Sequence, residues 1–187
     1  MKNLFCHFTM ALSFILCTQH QAMSQNEMPI LPTDPSTGMY LYTGEVQQNQ
    51  VPLQELKDRC QQWIDGYYQN MNVEIADVQS NYQSISFKAF FQINPGDQES
   101  DIAFTEKVQY TFYVNCKNNS YTYEVGDIRW AKAFYYPIEK WAMEKNPKTA
   151  LIFKNYLIQT DAEITDLLIS FRQAMSLPSN TTMTATW

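Results

Sequence analysis

The spacing of hydrophobic residues changes several times along the chain, and each change marks an element. Over residues 51–70, Leu53, Leu56, Cys60, Trp63 and Tyr67 recur at three and four residues. That period predicts a helix with one buried stripe, and Pro52 suits its first turn. Before it, residues 38–47 are short, aromatic and β-branched, and predict a strand. After it the period falls to two. Residues 73–78 predict a short strand. In residues 84–94, Ile85, Phe87, Ala89, Phe91 and Ile93 share one face, and Ser86, Lys88, Phe90 and Gln92 the other. Residues 106–116 set Val108, Tyr110, Phe112, Val114 and Cys116 against Lys107, Gln109, Thr111, Tyr113 and Asn115. Asn118-Asn119 predicts a turn, after which residues 120–130 alternate Tyr121, Tyr123 and Val125 with Thr122, Glu124 and Gly126. Such alternation means one buried and one wetter face, as in an antiparallel meander.

The C-terminal part reads as helical. Pro137 opens a short segment, residues 138–144, that closes before Pro147. A helix is predicted over residues 148–159. Thr160 with Glu163 matches a capping box and predicts the start of a separate last helix, with Ile164, Leu167, Leu168, Phe171 and Met175 as its apolar stripe. The fold class is therefore α+β, in the order β-α-β-β-β-β-α with extra C-terminal helices. A five-stranded sheet in the order 1-5-4-3-2 makes every neighbour antiparallel, and both helices must then cover the same apolar face. The other face would carry Ser86, Lys88, Gln92, Lys107, Gln109, Thr111, Tyr113, Thr122 and Glu124.

The first residues follow a different logic. Lys2 precedes an apolar run over residues 4–17, too short for the about 20 residues a bilayer span needs. Ala22-Met23-Ser24 places small residues before a cleavage point, so residues 1–24 predict a secretory signal cut before Gln25. A lipoprotein signal ending at Cys17 is disfavoured by the large Leu16 before it. Residues 25–37 then read as a linker, residues 38–176 as a single domain, and residues 177–187 as a polar tail. The expected mature protein is periplasmic or secreted and lacks a transmembrane segment.

Export changes the chemical inventory. Both histidines, His7 and His20, leave with the signal, as do Cys6 and Cys17. No Ser-His-Asp or Cys-His set can form without histidine, nor a zinc site built on it. The five glycines, Gly38, Gly44, Gly66, Gly96 and Gly126, are isolated, so no phosphate-cradling loop exists. No cofactor and no metal site is expected. Asp97, Glu99 and Asp101 alternate without the remaining ligands of a calcium loop and read as a solvated turn. A net charge of −6 argues against binding nucleic acid by phosphate neutralisation. Cys60 and Cys116 both fall on apolar stripes. They are read either as a candidate disulfide, which an oxidising compartment permits, or as two small buried hydrophobes.

Three segments carry a resemblance: Gly38-Met-Tyr-Leu-Tyr-Thr-Gly-Glu45, Leu56-Lys-Asp-Arg-Cys-Gln-Gln-Trp63 and Tyr121-Thr-Tyr-Glu-Val-Gly-Asp-Ile128. Together with the helix over residues 161–175 and the final Trp187, they resemble a family of exported Bacteroidetes proteins, a domain of unknown function with a TATA-binding-protein (TBP)-like fold. The resemblance implies that fold and brings no catalytic residue with it. Cys60 and Cys116 are not part of the family's pattern. The fold's namesake bends DNA with a basic, apolar sheet, whereas this chain is acidic and polar on the corresponding face.

Three functions compete. The first is a non-catalytic binding or interaction module of the cell envelope, its partner a protein, a glycan or another envelope component, with Phe90, Tyr113, Tyr135 and Tyr136 among its candidate contact residues. The second is a carrier of a small apolar ligand between helices and sheet. The third is a carboxylate-based hydrolase using acids such as Glu124 and Asp127. A deep cavity would favour the carrier, and two acids converging in a cleft the enzyme.

Overall fold

A computed structural model describes residues 28–71, 75–94 and 105–179. The elements are β1 (Tyr42–Gln47), α1 (Leu53–Met71), β2 (Ala76–Ser80), β3 (Ser84–Ile93), β4 (Glu106–Lys117), β5 (Ser120–Trp130), β6 (Tyr136–Pro137), α2 (Glu139–Ala142) and α3 (Pro147–Ser176). The five long strands lie in the order β1-β5-β4-β3-β2, all antiparallel, as the meander pattern requires. A sixth, two-residue strand was not expected. β6 pairs with Arg129 and Trp130, so it continues the edge of β5 that β1 leaves free. The expected signal lies outside the described residues.

Alternation decides which side of the sheet meets the helices. The stripe of α1 (Leu53, Leu56, Cys60, Trp63, Ile64 and Tyr68) and that of α3 are buried with the inward residues of β3, β4 and β5. Trp63 lies at the centre, 5.4 Å from Phe112 and 5.0 Å from Phe171 between ring centroids, and Phe87 stacks on Phe112 at 5.3 Å. Full burial of each such side chain is worth about 1.5–3 kcal/mol. A second aromatic group joins Trp130, Trp141, Phe153 and Tyr156 under α2.

On β5 strict alternation fails after Val125, and a bulge explains how the core survives. Gln109 pairs with Arg129 and Thr111 with Gly126, so β5 carries one extra residue there, with Asp127 at φ 47°. The bulge returns Ile128 to the buried side and leaves Asp127 exposed. A second bulge shortens the pairing of β2, where Asp77 has φ 55° and its carboxylate pairs with Lys88 at 2.6 Å.

Helix ends are tied down by distant residues. Asn118 in the β4–β5 turn accepts the Leu53 N–H at 3.0 Å, capping α1. Asn146 caps α3, accepting from Lys148 and Thr149, with Pro147 at the first helical position. Arg59, buried on α1, donates to the Met175 carbonyl at 2.8 Å and to Glu55 at 2.9 Å. Glu55 in turn accepts from both the backbone and the hydroxyl of Ser179. The start of the expected tail is thereby fastened to α1.

Two expectations need correction. No new helix starts at Thr160: α3 runs unbroken from Pro147 to Ser176, with Thr160 fully buried inside it. A Thr-x-x-Glu pattern caps a helix only where the backbone leaves helical geometry. Here the apolar stripe from Phe153 to Met175 is continuous, and breaking it would cost core burial. Gln109, expected on the wet face, is only 8% exposed. Its register neighbours are Phe90 and Arg129, and the Arg129 guanidinium lies 5.6 Å from the ring of Tyr135.

Residues 28–37, read as a linker, also make specific contacts. Leu31 is buried, and Thr33 bridges to Tyr40 across a turn in which Asp34 accepts from Ser36 and Thr37. Gly38 closes that turn at φ 73°, a conformation that suits glycine.

Candidate functional site

Both long helices occupy one side of the sheet, and the other side is where the sequence placed its polar residues. Tyr113 is 36% exposed there, opposite Glu124 on β5 and Ser86 on β3. Glu124 and Asp127 are exposed, and Asp127 accepts from the Tyr135 hydroxyl at 3.3 Å. Neither acid lines the pocket described below. Asp97, Glu99 and Asp101 lie outside the described residues. Tyr136 is half-buried against Trp130, with ring centroids 5.4 Å apart.

A pocket of about 240 Å³ opens where α1 and α3 meet the far end of β3. β2 pairs only with the first half of β3, so beyond Lys88 that edge carries no strand partner among the described residues. The adjacent Phe90 and Phe91 belong to opposite sides of the strand, yet both line the pocket, which therefore wraps this edge. Tyr67 and Tyr68 come from α1, Tyr110 from β4, Glu163 and Leu167 from α3, and Gln92 completes the lining.

The floor of the pocket is held rigidly. The hydroxyls of Tyr68 and Tyr110 are 2.7 Å apart and both residues are buried. Tyr68 packs edge-on against Phe87 at 5.3 Å, and Tyr110 lies 5.8 Å from Phe91. Just beyond, the Gln159 side chain accepts the Asn94 N–H at 2.8 Å and donates to its carbonyl at 2.7 Å, clamping the end of β3 to α3.

Electrostatically the mouth is acidic. Glu163 is held above the usual carboxylate range, first by partial burial and then by Asp166 one turn on. Burial, followed by the negative charges of Glu163 and Asp166, pushes Tyr67 up to about 12. Burial also raises Tyr68 and Tyr110. Among the described residues Glu163 has no ion-pair or hydrogen-bond partner; the ion pairs there are Arg59–Glu55, Lys88–Asp77 and Lys132–Glu106.

Cys60 and Cys116 are both buried and stand as free thiols. Burial pushes Cys116 up to about 11, and Cys60 is raised by burial first and by Cys116 second. The two thiols therefore share one region of the core. No group of three or more His, Cys, Asp or Glu suited to a metal occurs among the described residues. Nor is any helix there long and apolar enough to cross a membrane.

The sequence reading placed Phe90 among contact residues but missed the pocket. Tyr67 and Tyr110 read as core, and Glu163 as a cap. The one available signal was Phe90-Phe91, since two adjacent aromatics on an alternating strand cannot both face the core.

An antiparallel sheet in the order β1-β5-β4-β3-β2, with both long helices on one side, defines an α+β protein of the TBP-like class. Residues 42–131 match the family described as "Domain of unknown function (DUF4468) with TBP-like fold", and the chain carries a domain of that family. A crystal structure of a DUF4468 family protein from Bacteroides ovatus is similar, with a TM-score of 0.57 at 15% identity, covering 82% of this chain and 93% of that one. A TBP-like protein from Parabacteroides distasonis gives a TM-score of 0.49 at 17% identity, covering 80% and 98%. No curated protein matches the chain.

Proposed function

We propose that the protein is an exported, non-catalytic interaction module of the cell envelope that receives one group of a partner in the aromatic pocket beside β3. The observation that carries this reading is the pocket itself: five aromatic side chains and Leu167 around about 240 Å³, on a floor fixed by the Tyr68–Tyr110 contact. That volume lies below the about 300–1,000 Å³ of ordinary small-molecule sites. It suits a side chain better than a whole lipid, which ranks the module above the carrier. The apolar lining is what favours the carrier as second reading.

Affinity capture from envelope extract, comparing the mature protein with its Tyr67→Ala variant, tests the module. Tyr67 is half-buried at the pocket wall, so its truncation opens the site. A partner retained by the parent and lost by the variant, at equal far-UV circular dichroism, is the expected result. Equal capture by both removes the pocket from the function. A small molecule carried through purification and seen by native mass spectrometry would replace the module with the carrier. For export, a mature N-terminus at Gln25 in protein from the native host is expected, and one retaining Met1 would sink that part.

A further inference from the structure

We propose that the group received by this pocket is an organic cation, the guanidinium or ammonium of an arginine or lysine side chain on a partner polypeptide; this rests on the module reading and names its ligand. Aromatic walls alone would accept any apolar group. What distinguishes this pocket is an acid at its rim that no cation meets among the described residues. Glu163 lines the pocket, and Asp166 lies three residues on along α3. Their charges reach the Tyr67 hydroxyl at the wall. Among the described residues no basic side chain pairs with Glu163.

Aromatic faces attract a cation through their quadrupole, more strongly where water is partly excluded. An arginine or lysine also brings an alkyl stem, which gains by lying along rings while its head stays at the wet rim. Tyr67, Phe90 and Phe91 are half-buried and offer such surfaces, and Glu163 stands where the head would emerge. The net charge of −6 favours the approach of a basic partner. An anion or a neutral apolar group would leave Glu163 uncompensated.

The test is a titration of the mature protein, followed by NMR shifts of the pocket residues, with n-propylguanidinium and with its neutral isostere n-propylurea. The guanidinium is expected to bind roughly tenfold or more tighter than the urea, and Glu163→Gln to remove most of that difference. Glu163 is exposed on the helix, so the variant folds, which its circular dichroism checks. Equal binding of guanidinium and urea overturns the cation and leaves the module reading in place. Guanidinium binding that Glu163→Gln does not weaken overturns it as well. No shift at the pocket with either ligand overturns both readings. A third arm uses the peptide acetyl-Gly-Arg-Gly-amide. Binding at least as tight as n-propylguanidinium supports a polypeptide source, and exclusion of the peptide overturns that source.

Discussion

The backbone N–H of Tyr40 donates to the carboxylate of Glu139 at 2.5 Å, joining the entry to β1 with α2. Both residues are buried, and the second carboxylate oxygen of Glu139 has no hydrogen-bond partner among the described residues. The contact matters because β1 and β6 share one edge of β5, and α2 follows β6 directly. Glu139 therefore holds together two segments that meet the sheet at the same edge.

Replacing Glu139 by Ala leaves the Tyr40 N–H unpaired in the interior. The expected loss is about 1–3 kcal/mol in urea unfolding. Glu139→Gln keeps an acceptor oxygen and should lose less. Equal stability of parent, Gln and Ala variants would show that water replaces the contact at no cost.

At Gly44 the restriction is space. A Cβ built there would sit 2.4 Å from Cζ and the hydroxyl oxygen of Tyr123, whose ring covers the glycine and is itself buried. Gly44→Ala should cost about 1–3 kcal/mol through overpacking. At Gly126 the close atom is the Leu41 Cδ1 at 2.9 Å, the tip of a side chain able to rotate. Thermal unfolding should rank Gly44→Ala as the more damaging. The reverse order would mean that Tyr123 moves more easily than Leu41.

Thr160 is fully buried in α3, and its hydroxyl has no hydrogen-bond partner among the described residues. Valine has nearly the same shape and no polar group to desolvate. Thr160→Val is expected to be neutral or to stabilise by up to about 1 kcal/mol. A loss of stability in denaturant titration would mean that the hydroxyl is satisfied after all.

Thr160 also marks the limit of what spacing can tell. The strands of the meander, their order and the helix α1 were legible because period two and period 3.6 report burial directly. The capping pattern at Thr160 and Glu163 misled because four residues cannot say whether a helix begins or continues. The bulge at Asp127 was written in the sequence as a parity change, Val125 to Ile128, that a strict alternation overlooks. The pocket was not legible, because Tyr67, Phe91, Tyr110 and Glu163 meet only when α1, β3, β4 and α3 are assembled. Burial alone gives Tyr110 and Phe112 the same role on β4, while Tyr110, unlike Phe112, lines this pocket.

Two glutamates should give opposite pH slopes. Glu163 has its folded pKa raised above the ordinary 4.5 by burial and Asp166. The folded state then binds more protons than the unfolded one, so stability falls as pH rises from 4.5 through the folded value. Glu55 is lowered, first by the Ser179 backbone N–H and then by Arg59. Its contribution is complete above 4.5 and is lost as pH falls through its folded value. In urea unfolding from pH 3 to 7, Glu163→Gln should gain on the parent as pH rises, and Glu55→Gln should fall behind it. A difference from the parent that stays constant with pH would refute the assignment for that residue.

Cys60 and Cys116 lie in one region of the core, where burial raises both thiols. A raised pKa keeps the reactive thiolate scarce, and burial keeps reagents out. In the folded protein neither thiol should react with a disulfide reagent at neutral pH. Unfolding without reductant then separates the two readings. As small buried hydrophobes, they should release two reactive thiols per chain, with both sites identified by peptide mapping. That is the outcome expected from the free thiols in the structure. As a disulfide they would release none until reductant is added. The bridge would also require Cα atoms within about 7 Å. Cys60 sits in the middle of α1 and Cys116 one residue from the end of β4, so a bond would lock helix to strand at one end of the sheet. Labelling of protein taken from its native host decides whether that lock is ever made.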